Sequence, residues 1–483
     1  MIDPTRQIAA GAGWLYGHRW IERLLDFVSI VILARLLSPD DFGVVAIAAS
    51  VVTVIEGLGA LGVDKALIRS RSDDREMYDS AWTLSMLRGT LAALCMVLIA
   101  FLLDDSRMAA VLLTLALVPV VNGLANPRFV MFERDLVYSK LAVLTLGART
   151  ISVAVTLAAA FAHRSYWALV LGLLANHAAA TILSYALRPY RPRISFAKFQ
   201  SLFAFSGWLT LTSAVTALSM ETDKIIVGRL LGVSHAGLYD MTQRVGVLPT
   251  RELLAPLQRI LFPAYSRLIA DTPRLRRVVC ESINVLASLS LPAGFGFALL
   301  AGDFVPLVLG AQWTPIVPLL IVLVPYLGLR STLSMTLPSV LALGRTRLLF
   351  WVSTIYAVVH VPAFILGTAF FALPGSMWSI VAAGVFYSYL NAWMLRTTLG
   401  ISMREILAQL RRPFAATALM CAAVVALAAM TPIELLPASG SWQSLAAKVI
   451  VGAAVLCAGQ YAIWRLEGRP AGIERRLAQL MSG

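Results

Sequence analysis

Five ionisable side chains, His18, Arg19, Glu22, Arg23 and Asp26, fall within "HRWIERLLD" at the head of an otherwise apolar run. At 100° per residue they share one helical arc of about 140°, with Trp20, Leu24, Val28 and Val31 on the far side. Guanidinium groups fork onto phosphate oxygens, and carboxylates inside a bundle take up protons or cations. A charge at a bilayer centre costs roughly 2.5–3.5 kcal/mol, so such groups either pair or face an aqueous cavity. Arg19–Glu22 and Arg23–Asp26 have the i,i+3 spacing of local pairs, and Asp240–Arg244 the i,i+4 spacing. Arg88, Arg149, Arg251 and Arg330 have fewer obvious partners. Surplus cations suit an anionic ligand, which makes Arg19, Arg23, Arg88, Arg149, Arg244, Arg251 and Arg330 the candidate binding set. Asp26, Glu56, Asp223 and Glu252 are the acidic candidates for ion coupling.

The elements that position these groups are membrane helices. The 483 residues are 59% hydrophobic and 14% charged, with a mean hydropathy of +0.79. Apolar periodicity predicts fourteen spans, at 12–36, 42–63, 79–103, 108–131, 138–162, 166–187, 203–228, 236–262, 278–301, 314–341, 348–371, 375–395, 413–431 and 445–464. The eighth is the most polar. With it in place, one side of the membrane takes basic clusters such as Arg188, Arg191, Arg193 and Lys198, and the other carries only Arg107, Arg164 and Arg229 in its loops. The positive-inside rule then puts both termini in the cytoplasm and explains the net charge of +14 without nucleic acid. The acidic "SPDDFG" (38–43) is expected as a solvated loop. No small-residue cleavage site follows Arg6, so the first span reads as a retained anchor.

An internal repeat supports the span count. At an ungapped offset of 194, residues 13–43 match 207–237 at nine of 31 positions, including Gly13-Trp14-Leu15, Arg35-Leu36-Leu37 and Gly43. Span one then equals span seven, and orientation is preserved, as in parallel repeats. The expected fold is an all-α polytopic protein with two pseudo-symmetric six-helix lobes, residues 1–200 and 201–400. Two extra helices follow in 401–483. Prolines inside spans, Pro119, Pro292 and Pro325 among them, predict kinks.

Several chemistries drop out. Gly57–Gly62 spells GxGxxG but has no Rossmann unit around it. Walker, HExxH and GxSxG motifs are absent. Cys95, Cys280, Cys421 and Cys457 lie singly in apolar stretches, and the five histidines are scattered, so neither disulfides nor a metal site is expected. The loops are too short for the external catalytic domain of a membrane polymerase or ligase.

"ILARLLSPDDFGVVAIA" (32–48), "GLGALGVDKALIRS" (57–70), "TDKIIVGRLLGVSHAGLYDMTQRV" (222–245) and "LFPAYSRL" (261–268) resemble the Wzx-type polysaccharide repeat-unit flippases. These belong to the multidrug/oligosaccharidyl-lipid/polysaccharide exporter superfamily. The resemblance implies two lobes around a cationic cavity, alternating access, and transfer of a polyprenyl-diphosphate-linked oligosaccharide across the bacterial inner membrane. It also implies a non-enzyme with no cofactor, for surface polysaccharide such as lipopolysaccharide or exopolysaccharide. The driving force stays open between downstream consumption, membrane potential and a proton or sodium gradient. A polysaccharide polymerase is the expected protein partner. The rival readings are a cation-coupled multidrug exporter and a lipid II flippase of the same superfamily.

Overall fold

The computed structural model describes residues 4–59, 67, 74–135, 137–430 and 442–466. Every regular element among them is helical. In chain order the principal helices are α1 (Pro4–Leu36), α2 (Pro39–Leu58), α3 (Arg75–Phe101), α4 (Ser106–Gly123), α5 (Tyr138–His163), α6 (Trp167–Leu187) and α7 (Phe199–Leu231). They continue with α8 (Val233–Arg267), α9 (Thr272–Phe304) and α10 (Ala311–Ala342). Thr346–Leu399 is one helical run bent at Ala372, with α11 before the bend and α12 after it; α13 (Met403–Met430) and α14 (Trp442–Leu466) complete the series. Ten helices among the described residues are long and apolar enough to cross a membrane, the bent run counting once. α1, α7 and α8 have the length, with 33, 33 and 35 residues, but carry the in-span charge seen in the sequence. The order follows the predicted spans.

Local chemistry sets several boundaries. "SPDD" is a helix start, not the expected solvated loop. Ser38 and Asp41 form a reciprocal capping box, Pro39 occupies the first turn, and Asp40 and Asp41 face the positive end of the dipole. Asp41 also accepts from the backbone N–H of Tyr166 at 3.0 Å, and Asp40 pairs with Arg107. The fourth span ends at Gly123, short of the expected residue 131, because Asn126 and Pro127 open a separate 3₁₀ turn. The loop after α6 folds back on α3: the Tyr190 hydroxyl donates to Asp79 at 2.6 Å. Burial and that carboxylate push the Tyr190 phenol well above its usual range, so it stays a donor.

The chain divides into two compact units, Met1–Asp240 and Met241–Gly483. In the first, α1 packs on α5, α3 on α4, α5 on α6 and α7 along α2. Val44, Ala48, Met96, Val111, Leu115 and Val170 anchor its core. In the second, α9 packs on α10 and α13, and α13 on α14. Leu275, Val279, Ile283 and Leu286 of α9 form the centre of its core.

The sequence repeat reappears as contacts. Residues Pro39 and Gly43 of α2 correspond at offset 194 to Val233 and Gly237 of α8. A methyl on Gly43 would stand 1.9 Å from the Val233 carbonyl oxygen, and one on Gly237 would stand 1.8 Å from the Pro39 carbonyl oxygen. Reciprocal contact between equivalent residues is what a local two-fold relation produces. A second correspondence, at offset 205, relates a helix crossing inside one unit to a helix crossing inside the other. In the first, a methyl on Gly89 would meet the Pro119 carbonyl and one on Gly123 the Ser85 carbonyl, at 2.1 and 2.6 Å. In the second, Gly294 meets Val324 and Gly328 meets Ser290 in the same way, at 2.8 and 2.6 Å. The α3–α4 and α9–α10 crossings are thus built alike.

Candidate functional site

α1 presents its charges as the helical wheel requires. Trp20, Leu24 and Val28 are exposed on the apolar side, as befits a lipid-facing surface. On the other arc His18 is buried, Glu22 and Asp26 are half-buried, and Arg19 and Arg23 are exposed. Asp26 is the centre of the cluster. Arg23 lies 3.9 Å from it along the helix, and the Arg149 Nε of α5 donates to its Oδ1. Arg149 therefore has the partner that spacing alone withheld. Two guanidinium groups around one carboxylate leave a cationic surplus, with the three side chains 31–53% exposed and open to an incoming anion.

Arg88 of α3 is half-buried, and its aliphatic stem lies against Gly59, where a methyl would stand 3.2 Å from its Cγ. Glu56 of α2 accepts from the Asn122 amide at 2.9 Å, and the Asn122 oxygen meets His177 Nδ1 at 2.8 Å. An amide oxygen only accepts, so His177 carries its proton on Nδ1 in this arrangement. Asp223 of α7 accepts from the Tyr239 hydroxyl at 3.0 Å. Beside it Lys224 bridges Glu221 at 3.1 Å and Asp240 at 3.2 Å, and Ser50 donates to Glu221. Asp240 is thereby held by a lysine across the α7–α8 turn, a pairing that the expected i,i+4 contact with Arg244 did not foresee.

In the second unit Arg244 is exposed. Arg330 of α10 is half-buried, with its guanidinium 5.7 Å from the centre of the Tyr387 ring and beside Tyr326 and Tyr356. The Arg251 and Glu252 side chains lie outside the described residues. The structure thus brings Arg23, Asp26 and Arg149 together, while Glu56, Asp223 and Arg330 each sit against other polar or aromatic side chains. Asn122, His177, Tyr239 and the tyrosines around Arg330 were missed in the sequence. Asn122 and His177 carried a usable signal, since each is a polar residue inside an apolar run. Among the described residues no cluster of His, Cys, Asp and Glu has the geometry to hold a metal ion.

Comparison with known proteins gives this arrangement a family. The model of the family described as "Polysaccharide biosynthesis protein" matches residues 32–318. The chain is 24% identical over 414 residues to the "Lipopolysaccharide biosynthesis protein WzxC" of Escherichia coli (strain K12), covering 84% of each chain. It is 25% identical over 401 residues to the "Succinoglycan biosynthesis transport protein ExoT" of Rhizobium meliloti (strain 1021), covering 81% of this chain and 80% of the relative. In fold it is similar to the lipid II flippase MurJ in an inward closed conformation, with a TM-score of 0.73 at 13% identity over 93% of this chain and 98% of that one. It also resembles an inward-facing MATE family transporter of the MOP superfamily, with a TM-score of 0.60 at 12% identity over 81% and 96%. The chain is a multi-pass membrane protein that belongs to the polysaccharide biosynthesis protein family.

Proposed function

We propose that this chain is a flippase for polyprenyl-diphosphate-linked oligosaccharide repeat units. It works in the cytoplasmic membrane of a bacterium, with both termini in the cytoplasm, and moves its ligand by alternating access. The observation that carries the reading is the cationic cluster between two membrane helices: Arg23 of α1 and Arg149 of α5 around Asp26, with Arg19 exposed on the same arc of α1. A diphosphate carries its charge in planar oxygen sets that guanidinium forks match, while the glycan needs only water and the prenyl chain only lipid. No bond is made or broken, so the residues bind and release. The named functions of the relatives in lipopolysaccharide and succinoglycan biosynthesis support the same class of ligand. Arg88, Arg244, Arg251 and Arg330 complete the candidate set for the diphosphate and glycan. Asp26, Glu56, Asp223 and Glu252 are proposed for coupling to protons or sodium, and a polysaccharide polymerase is the proposed partner.

A multidrug exporter for cationic ligands would carry surplus acid around its site, whereas the α1 cluster has surplus base. Deletion followed by analysis of lipid-linked intermediates tests the reading. An undecorated pool of lipid-linked repeat units held on the cytoplasmic leaflet is expected; accumulation of lipid II, or drug sensitivity alone, would replace it with a sister activity. Arg19→Ala, Arg23→Ala and Arg88→Ala should each lower glycan export, and normal export in all three would remove the cationic site.

A further inference from the structure

We propose that the cavity between the starts of α9 and α13, in the second unit, binds the phosphodiester headgroup of an anionic membrane lipid. The cavity measures about 310 Å³, and its walls include Arg276, Arg277 and Cys280 of α9 and Glu405, Ala408 and Gln409 of α13. The two helices run parallel, because their contacts advance together: Arg276 with Glu405, Asn284 with the Gln409 carbonyl, Phe295 with Phe414. Both N-termini therefore open at the same end, and both helix dipoles turn their positive ends toward it.

Only one of the cavity's two arginines is paired with its carboxylate. Glu405 is fully engaged: its Oε2 accepts from the Ser402 backbone and hydroxyl, and its Oε1 accepts from Arg276 at 2.5 Å. Arg277 lines the cavity, is exposed, and has no carboxylate within ion-pair distance among the described residues. The nearest acid along its own helix is Glu281, exposed one turn away. Arg274 and Arg404 stand on the first turns, also exposed and without an ion pair among the described residues. Arg277 and the unused N–H groups of Arg276 thus offer forked donors at a membrane boundary, the setting in which basic pockets between helices take lipid headgroups.

The surroundings favour a lipid over a soluble anion. Leu407 is 57% exposed and Phe414 49% exposed, two turns apart on one side of α13 running away from the cavity mouth. They provide an apolar track on which an acyl chain can lie while its phosphate stays at the cavity. A free phosphate has no use for that track. The assignment concerns this unit's surface and stands apart from the transport reading built on α1.

The test is native mass spectrometry of the full-length protein released from vesicles of phosphatidylcholine containing phosphatidylglycerol or cardiolipin. Thermal unfolding of each variant serves as a folding control. Wild type should retain the anionic lipid over phosphatidylcholine. Arg277→Gln should weaken retention about fivefold, the effect of losing about one charge at an anionic membrane surface. Ala408→Trp, which fills the cavity without changing charge, should weaken it as well. Equal retention by Arg277→Gln overturns the site. Retention unchanged in Ala408→Trp would mean a diffuse surface charge and overturn the cavity. Full displacement of the lipid by inorganic pyrophosphate would replace the lipid with a soluble anion.

Discussion

Replacing Gly43 by alanine tests the reciprocal seam between the starts of α2 and α8. The new methyl would stand 1.9 Å from the Val233 carbonyl oxygen, where ordinary contact begins near 3.4 Å, so the backbones must separate by 3.4 − 1.9 = 1.5 Å. A carbonyl cannot swing aside as a long side chain does. Overpacking of this kind costs about 1–3 kcal/mol, and a rigid neighbour places it at the upper end. Alanine recovers about 0.5–1 kcal/mol of helix propensity, leaving a net loss of about 2 kcal/mol. Gly237→Ala meets the Pro39 carbonyl at 1.8 Å and should cost about the same. The double variant is the decisive case. One separation of the seam relieves both methyls, so it should lose clearly less than the sum of the singles, with a coupling of about 1–2 kcal/mol. Apparent unfolding free energies of the four proteins in one detergent measure this, with glycan export as the functional readout. Gly302→Ala, where a methyl meets open space, is the control and should not destabilise. Additive losses at Gly43 and Gly237, or no loss at either, would refute the shared seam.

Asp26→Asn should lower export because it removes the carboxylate that orients Arg149 toward Arg23; the reversed pair Asp26→Arg with Arg149→Asp should recover part of it, read as surface polysaccharide. Lys448→Met removes the ammonium paired with Asp303, whose side chain is 6% exposed; a loss of about 1.5–3 kcal/mol is expected, and Asp303→Leu beside it should restore part of the stability. Ala372 holds φ 53° and ψ −145° at the bend between α11 and α12, a region that essentially only glycine tolerates; Ala372→Gly should raise the melting temperature through a net gain of about 1 kcal/mol after glycine's own entropic penalty.

Much of this was legible in the chain. The wheel separated the charges of α1 from Trp20, Leu24 and Val28, and the structure exposes those three on the apolar side. The offset of 194 paired Gly43 with Gly237 before any contact was known. The corresponding quartet Ser85, Gly89, Pro119, Gly123 and Ser290, Gly294, Val324, Gly328 escaped notice because its offset of 205 lies 11 residues beyond 194, and a few glycines in apolar helices carry little alignment signal. The polar partners were harder. Arg149 finds Asp26 across 123 positions, and Glu56 reaches His177 only through Asn122.

The sequence by itself determined the helices, their order and their charge asymmetry. These follow from hydropathy over about 20 residues and from loop charge, and both are local quantities. It also determined which faces of α1 are polar, since helical period converts spacing to direction. The tertiary structure decided which charges meet. An Asp–Arg pair between helices depends on how two axes cross, and a crossing is a property of two segments packed together, as the close approaches at Gly89 between α3 and α4 and at Gly294 between α9 and α10 show. It also decided that two helices distant in sequence, α9 and α13, begin side by side, and so created a basic cavity that no segment of the chain contains alone.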